Sequence, residues 1–133
     1  MTIRFDGLCP LLEVFDMTAA LDFYRRVLGF RVVRAAPPID DCDWCLLERD
    51  GVQVMLNTMY EGDRRPPEPD RRRHAAHGDT SLFVGCRDLD AAYAHLLDQG
   101  VAVQPPVVRD YGMRQLSFHD PDGYNICLQW AVE

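Results

Sequence analysis

Landmarks along this chain recur at a spacing of 72 residues, and that recurrence restricts the fold more than any other feature. Adding 72 takes Asp16 to Asp88, Ala20 to Ala92, Asp50 to Asp122, Gly51 to Gly123 and Met55 to Cys127. Gly29 and Gly100 differ by 71, so one residue is lost in the helix region. Matches at a helix cap, a helix and a hairpin turn together argue for internal duplication. The whole chain has 133 residues, the size of one ordinary domain. Each copy is therefore a small unit inside it.

The first copy reads strand, helix, strand, hairpin. Residues 9–16 form a short strand that ends at a helix cap, Asp16. Met17, Ala20, Leu21, Tyr24 and Leu28 follow helical spacing, with Phe23 and Val27 widening the apolar stripe. Gly29 is placed to stop that helix in the left-handed conformation. Phe30 to Ala35 is a β-branched strand, and residues 43–49 and 52–58 flank the hairpin signal Asp50-Gly51. In the second copy Ser81 to Cys86 is a strand and Asp88 a cap. Leu89, Ala92, Tyr93, Leu96 and Leu97 form a stripe, Gly100 a stop, and Val101-Ala102-Val103 the start of a strand. Residues 113–119 and 124–130 flank the turn Asp120-Pro121-Asp122-Gly123. Between the copies, Glu61 to His77 is polar and rich in proline and arginine, and reads as a solvated linker or mobile loop of net charge +1.

Composition excludes several classes. The chain is 47% hydrophobic and 26% charged, as a soluble globular protein is. No apolar run is long enough to cross a bilayer. The first residues lack the layout of a signal peptide, so the expected compartment is the cytoplasm. A net charge of −7 disfavours nucleic acid and mildly favours cationic small molecules, although solubility alone accounts for it equally well. Five scattered cysteines do not form a secreted disulfide framework. Cys42-Asp43-Trp44-Cys45 has the spacing of a redox or zinc pair. It precedes a strand instead of opening a helix, and no second pair accompanies it. The expectation is one inward and one outward strand residue. His74, His77, His95 and His119 read as solvated side chains.

The stretch Val14-Phe15-Asp16 with Ala20-Leu21-Asp22-Phe23-Tyr24-Arg25-Arg26-Val27-Leu28-Gly29-Phe30 resembles the first helix of the vicinal-oxygen-chelate superfamily. That superfamily includes glyoxalase I, extradiol dioxygenases and bleomycin-resistance proteins. Asp120-Pro121-Asp122-Gly123-Tyr124-Asn125-Ile126 resembles its closing hairpin. The resemblance implies an α+β fold in which two βαβββ modules form a cup-shaped mixed sheet with helices outside. The modules would span residues 9–60 and 78–133 of a single 1–133 domain, joined by the linker 61–77. It also implies a homodimer, with modules paired within one chain or by swapping between chains.

Metal-dependent members take His and Glu ligands from four inward positions. Carried onto this chain, those positions are Cys9, Met55, Ser81 and Cys127, with Asp79 the alternative to Ser81. Hard divalent ions need oxygen ligands, and non-haem Fe(II) needs two His and a carboxylate. Neither set is present, so no metal and no cofactor are expected. Strand alternation places Gln53, Met55 and Asn57, and Asn125, Cys127 and Gln129, on the cup face. Val54 and Leu56, and Tyr124, Ile126, Leu128 and Trp130, should face the helices. Amides orient a ligand without demanding a fixed charge. Glu13 shares the register of Cys9 and Leu11. It reads either as a contact for a cation or general base, or as a rim carboxylate. Trp44 and Tyr111 could stack on a planar ligand and Arg114 could hydrogen-bond it, while core or interface packing serves Trp44 equally. The favoured function is a metal-free binding protein of the bleomycin-resistance type. It would hold a drug or metabolite without catalysis, as in antibiotic resistance. The alternative is an enzyme of the same fold with non-standard active-site residues.

Overall fold

A computed structural model describes residues 2–133. Two compact units make up the chain, dividing between Glu68 and Pro69.

In the first unit, β1 (Leu11–Val14) runs into α1 (Met17–Asp22). Asp16 caps α1, its Oδ1 accepting from the Ala19 N–H at 3.2 Å, which satisfies one of the donors a helix start leaves open. The sequence predicts one α-helix to Leu28. The structure instead widens into a π-helical turn over Phe23–Val27. Within this turn Phe23 and Tyr24 are both buried and lie edge-to-face at 5.5 Å. Gly29 then reverses the chain at φ 74°. β2 (Arg31–Ala35), β3 (Trp44–Arg49) and β4 (Val52–Thr58) complete a sheet of order β1-β4-β3-β2. β1 runs parallel to β4, and the other pairs are antiparallel. Asp50 and Gly51 take φ 50° and 81°, the positive pair that a two-residue hairpin of matching twist requires.

The second unit repeats this order. β5 (Ser81–Gly85) leads to α3 (Leu89–Asp98), then β6 (Val107–Val108), β7 (Met113–His119) and β8 (Asn125–Ala131), ordered β5-β8-β7-β6. Asp88 caps α3 through the Ala91 N–H at 3.0 Å, as its 72-residue counterpart Asp16 caps α1. Leu89 and Leu96 are buried, whereas Leu97 is half exposed, because it lies off the stripe set by Leu89, Ala92 and Leu96. The strand expected at Val101 begins pairing only at Val107. Pro105 and Pro106, immediately before it, have no N–H to give a ladder.

The supposed linker is folded in its second half. Asp70 caps a short helix, α2 (Arg71–Ala76), accepting from Arg72 and Arg73 N–H groups at 2.9 and 3.2 Å. A 3-10 turn over His77–Asp79 follows and feeds β5. Pro66, Pro67 and Pro69 all lie ahead of the cap, where they obstruct no helical hydrogen bond. This segment docks on the closing hairpin. His77 stacks on Tyr124 at 4.1 Å, its Nδ1 lies 2.6 Å from the Asp122 carbonyl, and His74 Nε2 lies 3.1 Å from the Pro121 carbonyl. His77 is therefore a packing residue and not a solvated one. His95 and His119 are exposed as expected.

Burial alternates along β3 and β4 of the first sheet, whereas in the second Cys127 and Gln115 are buried and Leu128 only partly so. Leu12, Val14, Cys45, Leu47, Val54 and Leu56 are buried on one side of the first sheet. Leu116, Phe118 and Ile126 are buried in the second. Trp130, at the strand end, is 40% exposed and lies under Arg87 at 4.7 Å. No helix among the described residues is long and apolar enough to cross a membrane.

Candidate functional site

The register fixes which side chains share the face away from the core. In the first sheet, Glu13 pairs with Asn57 and Asn57 with Trp44, so the three form one row across β1, β4 and β3. Met55 lies between Leu11 and Leu46 in the next row, and Gln53 faces Glu48 beyond it. Glu13, Trp44, Met55 and Asn57 are all partly buried, while Gln53 is exposed. The Asn57 amide donates to the Glu13 carboxylate at 3.3 and 3.4 Å. This face thus offers a carboxylate held by a neutral amide beside an indole. It suits a cationic, planar group.

In the second sheet, Ser81, Asn125, Cys127 and Gln129 share the corresponding face. Asn125 donates to the Ser81 hydroxyl at 3.0 Å, and Gln115 donates to Gln129 at 2.9 Å. Arg109 Nε donates to Gln115 at 3.2 Å. Tyr111 is 69% exposed at the turn before β7.

Three expected placements differ. Arg114 is a strand residue, in register with Trp130 on the helix side, and its Nη2 lies 2.7 Å from Asp90 on α3. That bond holds the Asp90 carboxyl below its ordinary range, and it turns Arg114 away from the amide face. Cys9 precedes the first strand, half buried, with its Sγ 3.9 Å from the Pro10 carbonyl. Cys42 and Cys45 are both buried instead of alternating. Cys42 lies outside the strand, so the two-residue period does not govern it. Burial raises both thiols, and Cys45 reaches about 12. This opposes the low-pKa thiolate a redox pair needs.

Gln115, Arg109 and the half-exposed Phe83 were missed in the sequence. Counting outward from the four-residue turn at 120–123 pairs Gln115 with Leu128; the ladder instead centres on Asp122 and pairs His119 with Asn125 and Gln115 with Gln129, which the structure alone shows. Arg109 lies between β6 and β7, where no periodicity reaches.

The ligand positions fail a metal on the chemistry of their donors. They hold two thiols, a thioether and a hydroxyl. The Ser81 hydroxyl already takes a hydrogen bond from Asn125, and Cys127 is 1% exposed. The strand partners of Met55 are Leu11 and Leu46 and those of Cys127 are Phe83 and Ser117, which add one hydroxyl and no imidazole or carboxylate. Among the described residues no cluster of three His, Cys, Asp or Glu side chains could hold an ion. A cavity of about 290 Å³ lies elsewhere in the first unit, lined by Phe15, Met17, Asp41, Asp43, Thr58, Tyr60 and Arg65 among others. None of the expected ligand residues lines it. Arg65, the cation in its lining, is engaged by Asp16 at 3.2 Å and lies over Phe15 at 5.5 Å.

No curated protein matches the chain. Solved structures do. One is a glyoxalase/bleomycin resistance protein from Streptomyces sp. CB03234, 29% identical, with 92% of this chain and 97% of that one covered at a TM-score of 0.62. Another is TioX from Micromonospora sp. ML1, 21% identical, with 96% and 100% covered at 0.74. A third is a glyoxalase/bleomycin resistance protein/dioxygenase from Nocardioides, 20% identical, with 99% and 87% covered at 0.73. A family model described as the Glyoxalase/Bleomycin resistance protein/Dioxygenase superfamily matches residues 10–128. With that match over nearly its whole length, and with the paired βαβββ order behind it, the chain belongs to the glyoxalase/bleomycin resistance protein/dioxygenase superfamily.

Proposed function

We propose that this protein is a metal-independent binder of small molecules, holding a drug or metabolite on the amide-lined faces of its sheets. It would act in the cytoplasm as a homodimer. The observation that carries this reading is the row Glu13, Asn57 and Trp44, where a carboxylate fixed by an amide lies beside an indole on the face away from the core. The sulfur-and-hydroxyl donor set supports the metal-independent part, because it suits neither a hard ion nor Fe(II). The names of the Streptomyces and Nocardioides proteins include bleomycin resistance, which accords with binding by sequestration.

The test is calorimetric titration of chelator-treated protein against planar cationic metabolites and glycopeptide-like drugs. At least one cation binds, and Glu13→Gln weakens it at least tenfold, as loss of a charge-assisted hydrogen bond worth about 1.5–3 kcal/mol requires. Arg114→Ala leaves that affinity unchanged, since the guanidinium serves α3. Light scattering reports a dimer. Failure of the whole panel to bind overturns the reading, as does a stoichiometric metal held by Cys9, Met55 and Cys127.

A further inference from the structure

The hydrogen-bond chain on the second sheet has a direction that chemistry alone fixes. An arginine nitrogen donates and never accepts. The Gln115 atom 3.2 Å from Arg109 Nε is therefore its carbonyl oxygen. The Gln115 NH2 group must then point to Gln129, where it donates over 2.9 Å to the Gln129 carbonyl oxygen. What remains at the end of the chain is the Gln129 NH2 group, and no described residue accepts from it.

The internal repeat explains why this donor lacks an acceptor. Gln129 is the 72-residue counterpart of Asn57, and Gly85 is the counterpart of Glu13. Each pair occupies the same register, Glu13 beside Asn57 and Gly85 beside Gln129. The first module supplies its amide with a carboxylate of its own. The second has a glycine there and supplies none. It has added Arg109 behind the amide, which polarises the chain toward donation at its far end. Phe83 lies on the same face, two residues from Gly85, and is 57% exposed.

We propose that the open face of the second module binds the carboxylate of a small planar organic acid. The ligand's carboxylate meets the Gln129 NH2 group from the solvent side, because the space beside Gly85 is bounded by the Trp130 ring, 3.3 Å from where a Cβ would lie. Gln129 donates to it, Arg109 supplies positive charge through Gln115, and Phe83 carries the flat apolar body. This rests on the binding function proposed above and names the ligand class for one of the two faces.

Gln129→Glu is a clean probe. Glutamate accepts from Gln115 as glutamine does, so the inner bond persists, while the outer donor becomes a carboxylate oxygen. The experiment titrates ¹⁵N-labelled protein with benzoate, and separately with benzylammonium as a cation of the same size, following side-chain amide signals. Benzoate is expected to shift the Gln129 NH2 pair and the signals around Phe83. Gln129→Glu should weaken benzoate at least tenfold. Arg109→Ala, an exposed change that leaves the sheet ladder intact, should also weaken it. Benzoate that leaves the Gln129 signals in place, or that binds Gln129→Glu as it binds the parent, overturns the inference. If benzylammonium or a cationic panel member still binds, only this inference falls. If nothing binds, both fall.

Discussion

Removing the side chain of Asp120 tests how the closing hairpin is held. Asp120 is 5% exposed, and its Oδ1 accepts from the Asp122 and Tyr124 N–H groups, each at 2.9 Å. Asp122 and Tyr124 are themselves 4% and 6% exposed, so water cannot readily replace that oxygen. Asp120→Ala leaves two buried donors without an acceptor. Each such group costs about 1–3 kcal/mol, for roughly 2–6 kcal/mol together. A domain of this kind has only about 5–15 kcal/mol in all. Asp120→Asn keeps an oxygen in place and forfeits only the charge assistance, so its loss should be about half as large. Urea unfolding followed by circular dichroism measures both variants, with the midpoint falling and the slope unchanged. A loss below about 0.5 kcal/mol for the alanine variant refutes the reasoning. So does an equal loss for alanine and asparagine.

Two further outcomes follow from the same geometry. Gly123→Ala and Gly51→Ala both place a Cβ at positive φ, 86° and 81°, but only at Gly123 would that Cβ meet a neighbour, the His74 carbonyl at 2.7 Å. Gly123→Ala should therefore destabilise more and should free α2, seen as faster tryptic cleavage at Arg71–Arg73 than in Gly51→Ala. Equal cleavage in the two would show that α2 does not rest on the hairpin. Native Cys45 should resist alkylation at pH 8 and begin to react only as pH rises toward about 12, because burial favours the neutral thiol. Peptide mapping after iodoacetamide checks this, and rapid labelling of Cys45 at pH 8 would refute it.

Much of the fold is legible in the chain. The 72-residue recurrence, the caps at Asp16 and Asp88, and the turns at Asp50-Gly51 and 120–123 are local signals. They depend on backbone dihedrals and on donors within three or four residues. The two faces of β4 and β8 are legible for a similar reason, since alternation is a property of the strand itself. The strand period alone thus assigns Glu13, Asn57 and Gln129 to the face away from the core.

Tertiary structure decided the rest. Nothing near Arg114 says that Asp90, 24 residues earlier, lies 2.7 Å from it. Arg71–Ala76 reads as a solvated linker until the hairpin 47 residues away offers carbonyls to His74. The π turn at Phe23–Val27, with Phe23 and Tyr24 both buried in it, departs from the 3.6-residue spacing the sequence shows, and Cys42 is buried by its surroundings, not by its strand period. The physical division is one of range. Caps, turns and alternation are set by bonds within a few residues, so the sequence determines them. Ion pairs, docked helices and side-chain contacts such as Asn57 to Glu13 need segments distant in sequence to arrive together, and only folding brings them there.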